Sequence, residues 1–249
     1  MIMNEGYKKQ VGLLIRIIPL LYRIKKFAIH GGTAINLFVS NMPRYSVDID
    51  VTYTLIEDRE KSFFEINCLL LSLKIQIERA IPNIKVIHKP EILKLQCTLD
   101  GATVKIEVNG TKRGIIDNIE VRELCEKAQF EFNTNCKANI VSISQLYGGK
   151  IAAALSRQHP RDLFDFKYME IDSFISIKNG LMLSLLGSDK PIIESLNPNR
   201  TDQKQALENQ FKGMTNIEFT YEDFEETRED LINKIQSIFK DYDKEFILS

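Results

Sequence analysis

Two segments of alternating polarity flank the dipeptide Asp100-Gly101 and together predict a β-hairpin. They are Ile92–Leu99 and Ala102–Asn109, and Asp-Gly tolerates the positive φ angles that a two-residue hairpin turn requires. Such a turn pairs Leu99 with Ala102, which gives the hairpin one apolar and one polar face. The apolar pairs are Cys97 with Val104, Leu95 with Ile106 and Leu93 with Val108, and the polar pairs are Thr98 with Thr103, Gln96 with Lys105 and Lys94 with Glu107.

Composition indicates a globular protein and excludes several other classes. The chain has 249 residues, 44% hydrophobic and 27% charged, which is enough for one large domain or two modest ones. No apolar run reaches the roughly eighteen residues of a membrane helix, and no signal-peptide pattern is present, so we expect a cytoplasmic protein without a membrane partner. Four scattered cysteines and three histidines argue against a zinc site or a disulfide framework. The formal net charge of −1 gives no global attraction for nucleic acid.

Periodicity along the chain predicts an α+β protein, with a mixed sheet and flanking helices in residues 1–140 and a helical part in residues 141–249. Gly187–Asn199 reads as a loop. The predicted strands besides the hairpin are Phe27–His30, Val47–Thr54 and Lys85–His88. The predicted helices are Lys8–Ile24, Thr33–Val39, Asp58–Ala80, Ser144–Arg157, Pro160–Ile171, Thr201–Phe211 and Tyr221–Lys240.

Three carboxylates lie on the polar faces of these strands. Asp48 and Asp50 are two residues apart and so project from one face of their strand, and Glu107 lies on the polar face of the hairpin. If the strands are neighbours, the three carboxylates converge and repel one another unless a cation lies between them. Hard oxygen ligands of this kind suit Mg²⁺ or Mn²⁺. The alternatives are a merely solvated strand face and, for Glu107, an ion pair across the hairpin with Lys94.

Gly31-Gly32-Thr33 lies between a predicted strand and a predicted helix. The glycines let the backbone approach an anion closely, Thr33 adds a hydroxyl, and the helix start presents unpaired N–H groups. The alternative is an ordinary tight turn. A phosphate cradle followed by paired metal ligands is a more specific combination than either motif alone.

A second polar cluster follows in the helical part. Lys150 and Arg157 are seven residues apart and share one face of their predicted helix. The alternative is an alanine-rich core helix with solvated charges. Three charged residues open the next helix, where the acidic ones also suit the helix dipole: Arg161, Asp162 and Asp165.

The order of these motifs resembles the nucleotidyltransferase superfamily, whose signature is Gly-Gly-[Ser/Thr], a short helix and then Asp-x-Asp on a strand. More closely, it is similar to the AbiEii/AbiGii-type toxin family of phage abortive infection and type IV toxin–antitoxin systems. The lysine with a downstream Arg-Asp narrows the resemblance to this family. The residues that carry it are Gly31-Gly32-Thr33, the segment Arg44–Asp50, Lys105-Ile106-Glu107-Val108, and Lys150 with Arg161-Asp162 and Asp165.

The resemblance implies a role for each of these residues on a nucleotidyltransferase-like fold. It implies metal ligation by Asp48 and Asp50, with Glu107 as the third carboxylate. It assigns triphosphate contacts to Thr33 and Lys150. The remaining implied residues are Asp162 in a supporting catalytic role and Gly31, Gly32, Arg161 and Asp165 in the nucleotide-binding set.

The implied reaction transfers a nucleoside monophosphate from a nucleoside triphosphate (NTP) to an acceptor hydroxyl with the help of Mg²⁺ or Mn²⁺. The family includes enzymes that add nucleotides to tRNA 3′ ends, which implies RNA as the acceptor and a cognate antitoxin as a partner. The alternatives are transfer to a small molecule and a non-catalytic nucleotide-binding module. A positive groove leading from the carboxylates would favour RNA, whereas a closed pocket would favour a small acceptor.

Overall fold

The computed structural model describes residues 4–188 and 190–239. These residues fall into two compact units, one reaching to Ser142 and the other beginning at Ile143. All described strands belong to the first unit, and the second unit is helical. The predicted α+β class is therefore confirmed.

The described strands of the first unit form one mixed sheet of seven strands in the order β3-β4-β5-β2-β1-β7-β6. β1 runs antiparallel to β2, and β2 runs parallel to β5. The strands are β1 (Phe27–His30), β2 (Asp48–Tyr53), β3 (Lys85–Lys89), β4 (Lys94–Leu99), β5 (Ala102–Val108), β6 (Glu120–Glu123) and β7 (Lys137–Ile140). The helices of this unit are α1 (Glu5–Tyr22), α2 (Gly31–Ala34), which continues as a π-helical turn (Ile35–Val39), α3 (Arg59–Ala80) and α4 (Glu126–Phe132).

The predicted hairpin is confirmed in its register. Leu99 pairs with Ala102, and the apolar and polar pairs follow outward as the alternation requires. β4 begins two residues later than predicted, at Lys94, because Pro90–Ile92 forms a 3₁₀ turn and Leu93 adopts a φ of +52°.

One face of the sheet carries the core of the first unit, and helices α1 and α3 pack against the sheet. The hairpin residues Leu95, Cys97, Val104 and Ile106 are fully buried. Helix α1 contains Pro19 and is capped by Asn4, whose side chain accepts a hydrogen bond from the Gly6 N–H. A proline inside a helix removes one backbone donor and crowds the carbonyl four residues earlier. Burial of the apolar residues of α1 offsets this cost.

The second unit contains helices α5 to α10. Several predictions differ from the structure in this unit. The helix that begins at Pro160 ends at Lys167, and the helix predicted from Thr201 begins at Lys204. The predicted loop Gly187–Asn199 contains a helix (Ile192–Leu196), and the helix Phe174–Leu186 was not predicted. Lys240, the predicted last residue of the final helix, lies outside the described residues. The helices are α5 (Ile143–Arg157), α6 (Pro160–Lys167), α7 (Phe174–Leu186), α8 (Ile192–Leu196), α9 (Lys204–Ala206), followed by a π-helical turn (Leu207–Phe211), and α10 (Tyr221–Ile238).

Helices α5 and α7 approach each other so closely that their backbones touch. A Cβ on Gly148 would lie 2.2 Å from the Leu181 nitrogen, and one on Gly180 would lie 2.0 Å from the Ser144 carbonyl oxygen. Only glycine at both positions permits this contact. The sequence analysis missed this role for the glycines because it depends on which helices pack together.

Candidate active site

Asp48 and Asp50 lie on one face of β2, as their spacing predicts. Both are half-buried, whereas Ile49 and Val51 on the opposite face are completely buried. β2 lies in the middle of the sheet between β1 and β5, so its backbone is held on both sides. The aspartates are therefore presented from a rigid strand.

The glycine turn meets this strand at Asp50. β1 ends at His30, which is the register partner of Asp50, and Gly31 follows with a φ of +69°. A Cβ on Gly31 would lie 2.5 Å from Asp50 Oδ2. The turn and the carboxylate are thus in direct contact, although they are about twenty residues apart in the sequence.

Thr33 connects the turn to the start of β2. Its side chain is completely buried, and its hydroxyl donates a hydrogen bond to the carbonyl oxygen of Asp48 at 2.5 Å and lies 3.0 Å from the hydroxyl of Ser46. The family resemblance assigns a triphosphate contact to Thr33. In this structure the hydroxyl points into the protein and fixes the backbone of Asp48 against the turn.

Glu107 lies on β5 directly beside Asp50, because the two residues are register partners of the parallel strands. Its carboxylate forms an ion pair with the ammonium of Lys94 at 2.6 Å, which is the alternative that the hairpin pattern offered. The described part of the chain contains no group of three or more His, Cys, Asp or Glu side chains arranged around a common metal position. The strands are neighbours as expected, but the expected convergence of three carboxylates is not present.

These residues nevertheless fit a divalent cation in part. Asp48 and Asp50 supply hard oxygen ligands from one face, and the glycine turn leaves room beside Asp50 that any side chain at position 31 would fill. A carboxylate pair that is completed by substrate phosphates is the usual environment of Mg²⁺. Glu107 could join them, although its Oε1 is engaged by the ammonium of Lys94.

His30 is a neighbour of the site that the sequence analysis missed. It is half-buried, it is the register partner of Asp50, and its Nδ1 lies 3.0 Å from the hydroxyl of Thr52. The signal that could have revealed it is its position at the end of a buried strand, immediately before Gly31.

The residues predicted in the second unit form a buried ionic cluster. The ammonium of Lys150 lies 3.1 Å from Asp162 Oδ1 and 2.7 Å from Asp165 Oδ2, and all three side chains are buried. Arg157, which is largely exposed, contacts Asp162 Oδ2 at 2.9 Å. Burial raises the pKa of Asp162, but the charges of Lys150 and Arg157 outweigh it and hold that pKa below its usual value.

Arg161 lies at the first turn of α6 and is half-buried. Its backbone N–H donates a hydrogen bond to Nδ1 of His159 at 3.1 Å, so His159 caps the helix. Burial lowers the pKa of His159, which favours the neutral imidazole that can accept this bond.

The fold is similar to that of a nucleotidyltransferase toxin of known structure. MenT4, a nucleotidyltransferase toxin from Mycobacterium tuberculosis H37Rv, superimposes with a TM-score of 0.71 at 14% identity, covering 97% of this chain and 87% of that protein. JHP933 from Helicobacter pylori gives a TM-score of 0.50 at 16% identity, covering 94% of each chain. At these identities the similarity concerns the fold.

Sequence comparison is more specific. The family described as nucleotidyl transferase AbiEii toxin, type IV toxin–antitoxin system, matches residues 13–246. The protein belongs to this family, which confirms the resemblance noted from its motifs. None of the curated proteins matches the chain in sequence. Among the described residues, no helix is both long and apolar enough to cross a membrane.

Proposed function

We propose that the protein is a metal-dependent nucleotidyltransferase that transfers a nucleoside monophosphate from an NTP to an acceptor hydroxyl of RNA, at the 3′ end of tRNA or a similar molecule. It would act as the toxin of a toxin–antitoxin or abortive infection system, with a cognate antitoxin, in the cytoplasm. The contact between the Gly31 turn and the carboxylate of Asp50 carries this proposal. It brings an anion-accepting backbone and a metal-ligating side chain to one place.

Asp48 and Asp50 would hold the divalent cation, with Glu107, whose Oε1 is paired with Lys94, as a further ligand. Mg²⁺ or Mn²⁺ held there would neutralise charge on the triphosphate and make the acceptor hydroxyl easier to deprotonate. The strand keeps the two aspartates fixed, so little reorganisation is needed when substrate binds. The buried opposite face of β2, with Ile49 and Val51, anchors this arrangement.

The Gly31-Gly32 turn would accept phosphate oxygens through its backbone N–H groups. Its approach to the anion is not blocked by a side chain, and the positive φ of Gly31 costs glycine little. Thr33 acts in this proposal as a positioning residue, because its hydroxyl holds Asp48 rather than facing outward.

The family resemblance assigns Lys150 and Arg161 to the triphosphate. Within its own unit Lys150 is held by Asp162 and Asp165, so we give these aspartates the role of fixing the lysine charge. A lysine side chain that is already held by buried partners loses less conformational entropy when it binds phosphate than a mobile surface lysine does.

Transfer of radiolabel from each α-labelled NTP tests the proposal. We expect label in total RNA when Mg²⁺ or Mn²⁺ is present, and none with Asp48→Ala or Asp50→Ala. The matched control is Asp172→Ala, which removes an exposed aspartate of the second unit and should label RNA like wild type.

Two other results would contradict the proposal in different ways. Label that enters only a metabolite pool would favour a small-molecule acceptor. NTP binding without any transfer, equal in wild type and Asp48→Ala, would favour a non-catalytic module.

A further inference from the structure

The polar face of the sheet continues from Asp50 to the edge of the first unit. Residues directly opposite each other on neighbouring strands point to the same face. Asp48 is paired with Lys105 on β5, Lys105 with Gln96 on β4, and Gln96 with Ile87 on β3. A single face therefore extends from the aspartates across three further strands.

This face is rich in lysine. We call the residues Lys85, Lys89, Lys94 and Lys105 the lysine face. Lys85 and Lys105 are exposed, and Lys89 is half-buried. Lys94 is the register partner of Lys89 and forms the ion pair with Glu107.

The lysine face is a local concentration of positive charge on a chain whose formal net charge is −1. Glu107 is the one acidic residue among the β3, β4 and β5 residues that point to this side. The other positions between the lysines are mostly hydroxyl and amide groups, which can donate hydrogen bonds to phosphate and sugar. They are Thr98, Thr103 and Gln96, with Ile87 as an apolar residue that is 40% exposed.

The dimensions suit an extended chain rather than a small molecule. Neighbouring strands lie about 4.8 Å apart, so β3 is roughly 14 Å from β2 across the sheet. The β3, β4 and β5 residues of this side, together with Asp48 and Asp50 on β2, remain partly accessible to solvent, so the surface is open rather than closed into a pocket. In proteins that bind single-stranded nucleic acid without sequence preference, positively charged side chains follow the sugar–phosphate backbone.

We propose that the lysine face binds the sugar–phosphate backbone of the RNA strand that leads to the acceptor hydroxyl. The inference rests on the proposed function, because it uses the aspartates of β2 as the reaction centre. It deepens that function by assigning the β5–β4–β3 surface as the binding site of the RNA acceptor. An acidic protein segment is an alternative ligand for the lysine face, and the experiment below distinguishes it from RNA.

The test variant combines Lys85→Gln, Lys89→Gln and Lys105→Gln. Lys94 is left intact because it is paired with Glu107 beside the candidate metal site. The matched control removes three positive charges from exposed positions on α1, after α1 and on α3: Lys9→Gln, Lys25→Gln and Arg79→Gln. Because all six side chains are at least partly exposed, both variants should melt like wild type.

Binding of a fluorescent single-stranded RNA is measured by anisotropy at several salt concentrations. We expect the test variant to bind at least about tenfold more weakly and its log–log salt slope to fall by about 2, since each lost phosphate contact removes about 0.7 from the slope. The control should keep the affinity and slope of wild type. The KM for RNA should rise in the test variant, with the KM for NTP unchanged.

The binding assay and the transfer assay can contradict the RNA-binding inference and the proposed function independently of each other. If the test variant and the control bind RNA equally well, the lysine face is not the RNA site, whatever the transfer assay shows. Suppose that wild type transfers no nucleotide, and that RNA binding is lost in the test variant but kept in wild type and the control. The proposed function then fails, and the RNA-binding surface stands. If wild type binds no RNA, or an acidic peptide competes for the lysine face while RNA does not, the inference is wrong.

Discussion

The backbone of Gly31 touches the carboxylate of Asp50, leaving no room for a Cβ between them: such an atom would lie 2.5 Å from Asp50 Oδ2. This contact joins two motifs that are separate in the sequence. It also makes the conformation of the turn and the position of the carboxylate depend on each other.

Gly31→Ala should therefore displace Asp50 as well as strain the backbone. We expect the positive φ to cost about 1–2 kcal/mol of unfolding free energy, and nucleotide transfer to fall sharply because the carboxylate must move. Denaturant unfolding and the labelled-NTP assay measure the two effects.

Gly101→Ala is the matched control for this variant. Gly101 also has a positive φ, of +79°, but a Cβ there would meet nothing within 4 Å. It should lose similar stability and keep transfer activity. Equal activity losses in the two variants would show that backbone strain, and not the contact with Asp50, is responsible.

The ion pair between Lys94 and Glu107 predicts a competition with metal. If Glu107 is a ligand, Lys94→Met should tighten Mn²⁺ binding by a few fold, because a partly exposed ion pair contributes up to about 1 kcal/mol. Glu107→Gln should weaken Mn²⁺ binding. Calorimetric titration measures both, and Mn²⁺ affinity that is unchanged in both variants would remove Glu107 from the metal site.

Lys150→Met should destabilise the protein strongly. It leaves the buried carboxylates of Asp162 and Asp165 without their ammonium, and breaking a buried ion pair in this way costs about 3–5 kcal/mol. Arg157→Gln, at a largely exposed partner of Asp162, should cost less than about 1 kcal/mol. Urea unfolding compares them, and similar losses would mean that the cluster is not held by Lys150.

The lowered pKa of Asp162 predicts an acid-dependent loss of stability. A carboxyl whose pKa is lower in the folded state stabilises the protein above its unfolded pKa of about 3.9, and this contribution disappears as the pH falls through the folded value. Asp162→Asn should be less stable near neutral pH and should lose less stability on acidification. Parallel pH profiles of wild type and variant would contradict this.

The two adjacent glycines of α5 should respond oppositely to alanine. Gly148→Ala places a Cβ 2.2 Å from the backbone of α7 and should cost about 1–3 kcal/mol or more, because the helices must move apart. Gly149→Ala meets only Ser184 Oγ at 3.7 Å and should stabilise the helix by up to about 1 kcal/mol. Thermal melts distinguish them, and equal shifts would contradict the close contact.

The parts of the fold that were predicted correctly are those set by local sequence. The Asp100-Gly101 turn fixes the hairpin register, because a shift of one residue would turn every apolar side chain into solvent. β1 was predicted with its correct bounds for a similar reason: a short apolar run ends at a glycine turn.

The parts that were not predicted depend on distant partners. The elements β6, α4 and β7 lie between residues 120 and 140. Each is too short to show a strong periodicity of its own. The residues that β2 and β5 pair with each other are more than fifty positions apart in the sequence. No local pattern indicates that these two strands are neighbours.

The amino-acid sequence alone determined which side chains share a strand face: Asp48 with Asp50, and Lys94 with Glu107. These relations follow from the two-residue repeat of a strand and from one turn, which need no knowledge of the rest of the chain. Only the tertiary structure decided that Asp50 lies against Gly31, that Thr33 points inward and that Glu107 lies beside Asp50. Those contacts join segments that are brought together by burial of the apolar sheet face. The free energy of that burial is a sum over residues of the whole core, so no local pattern encodes it.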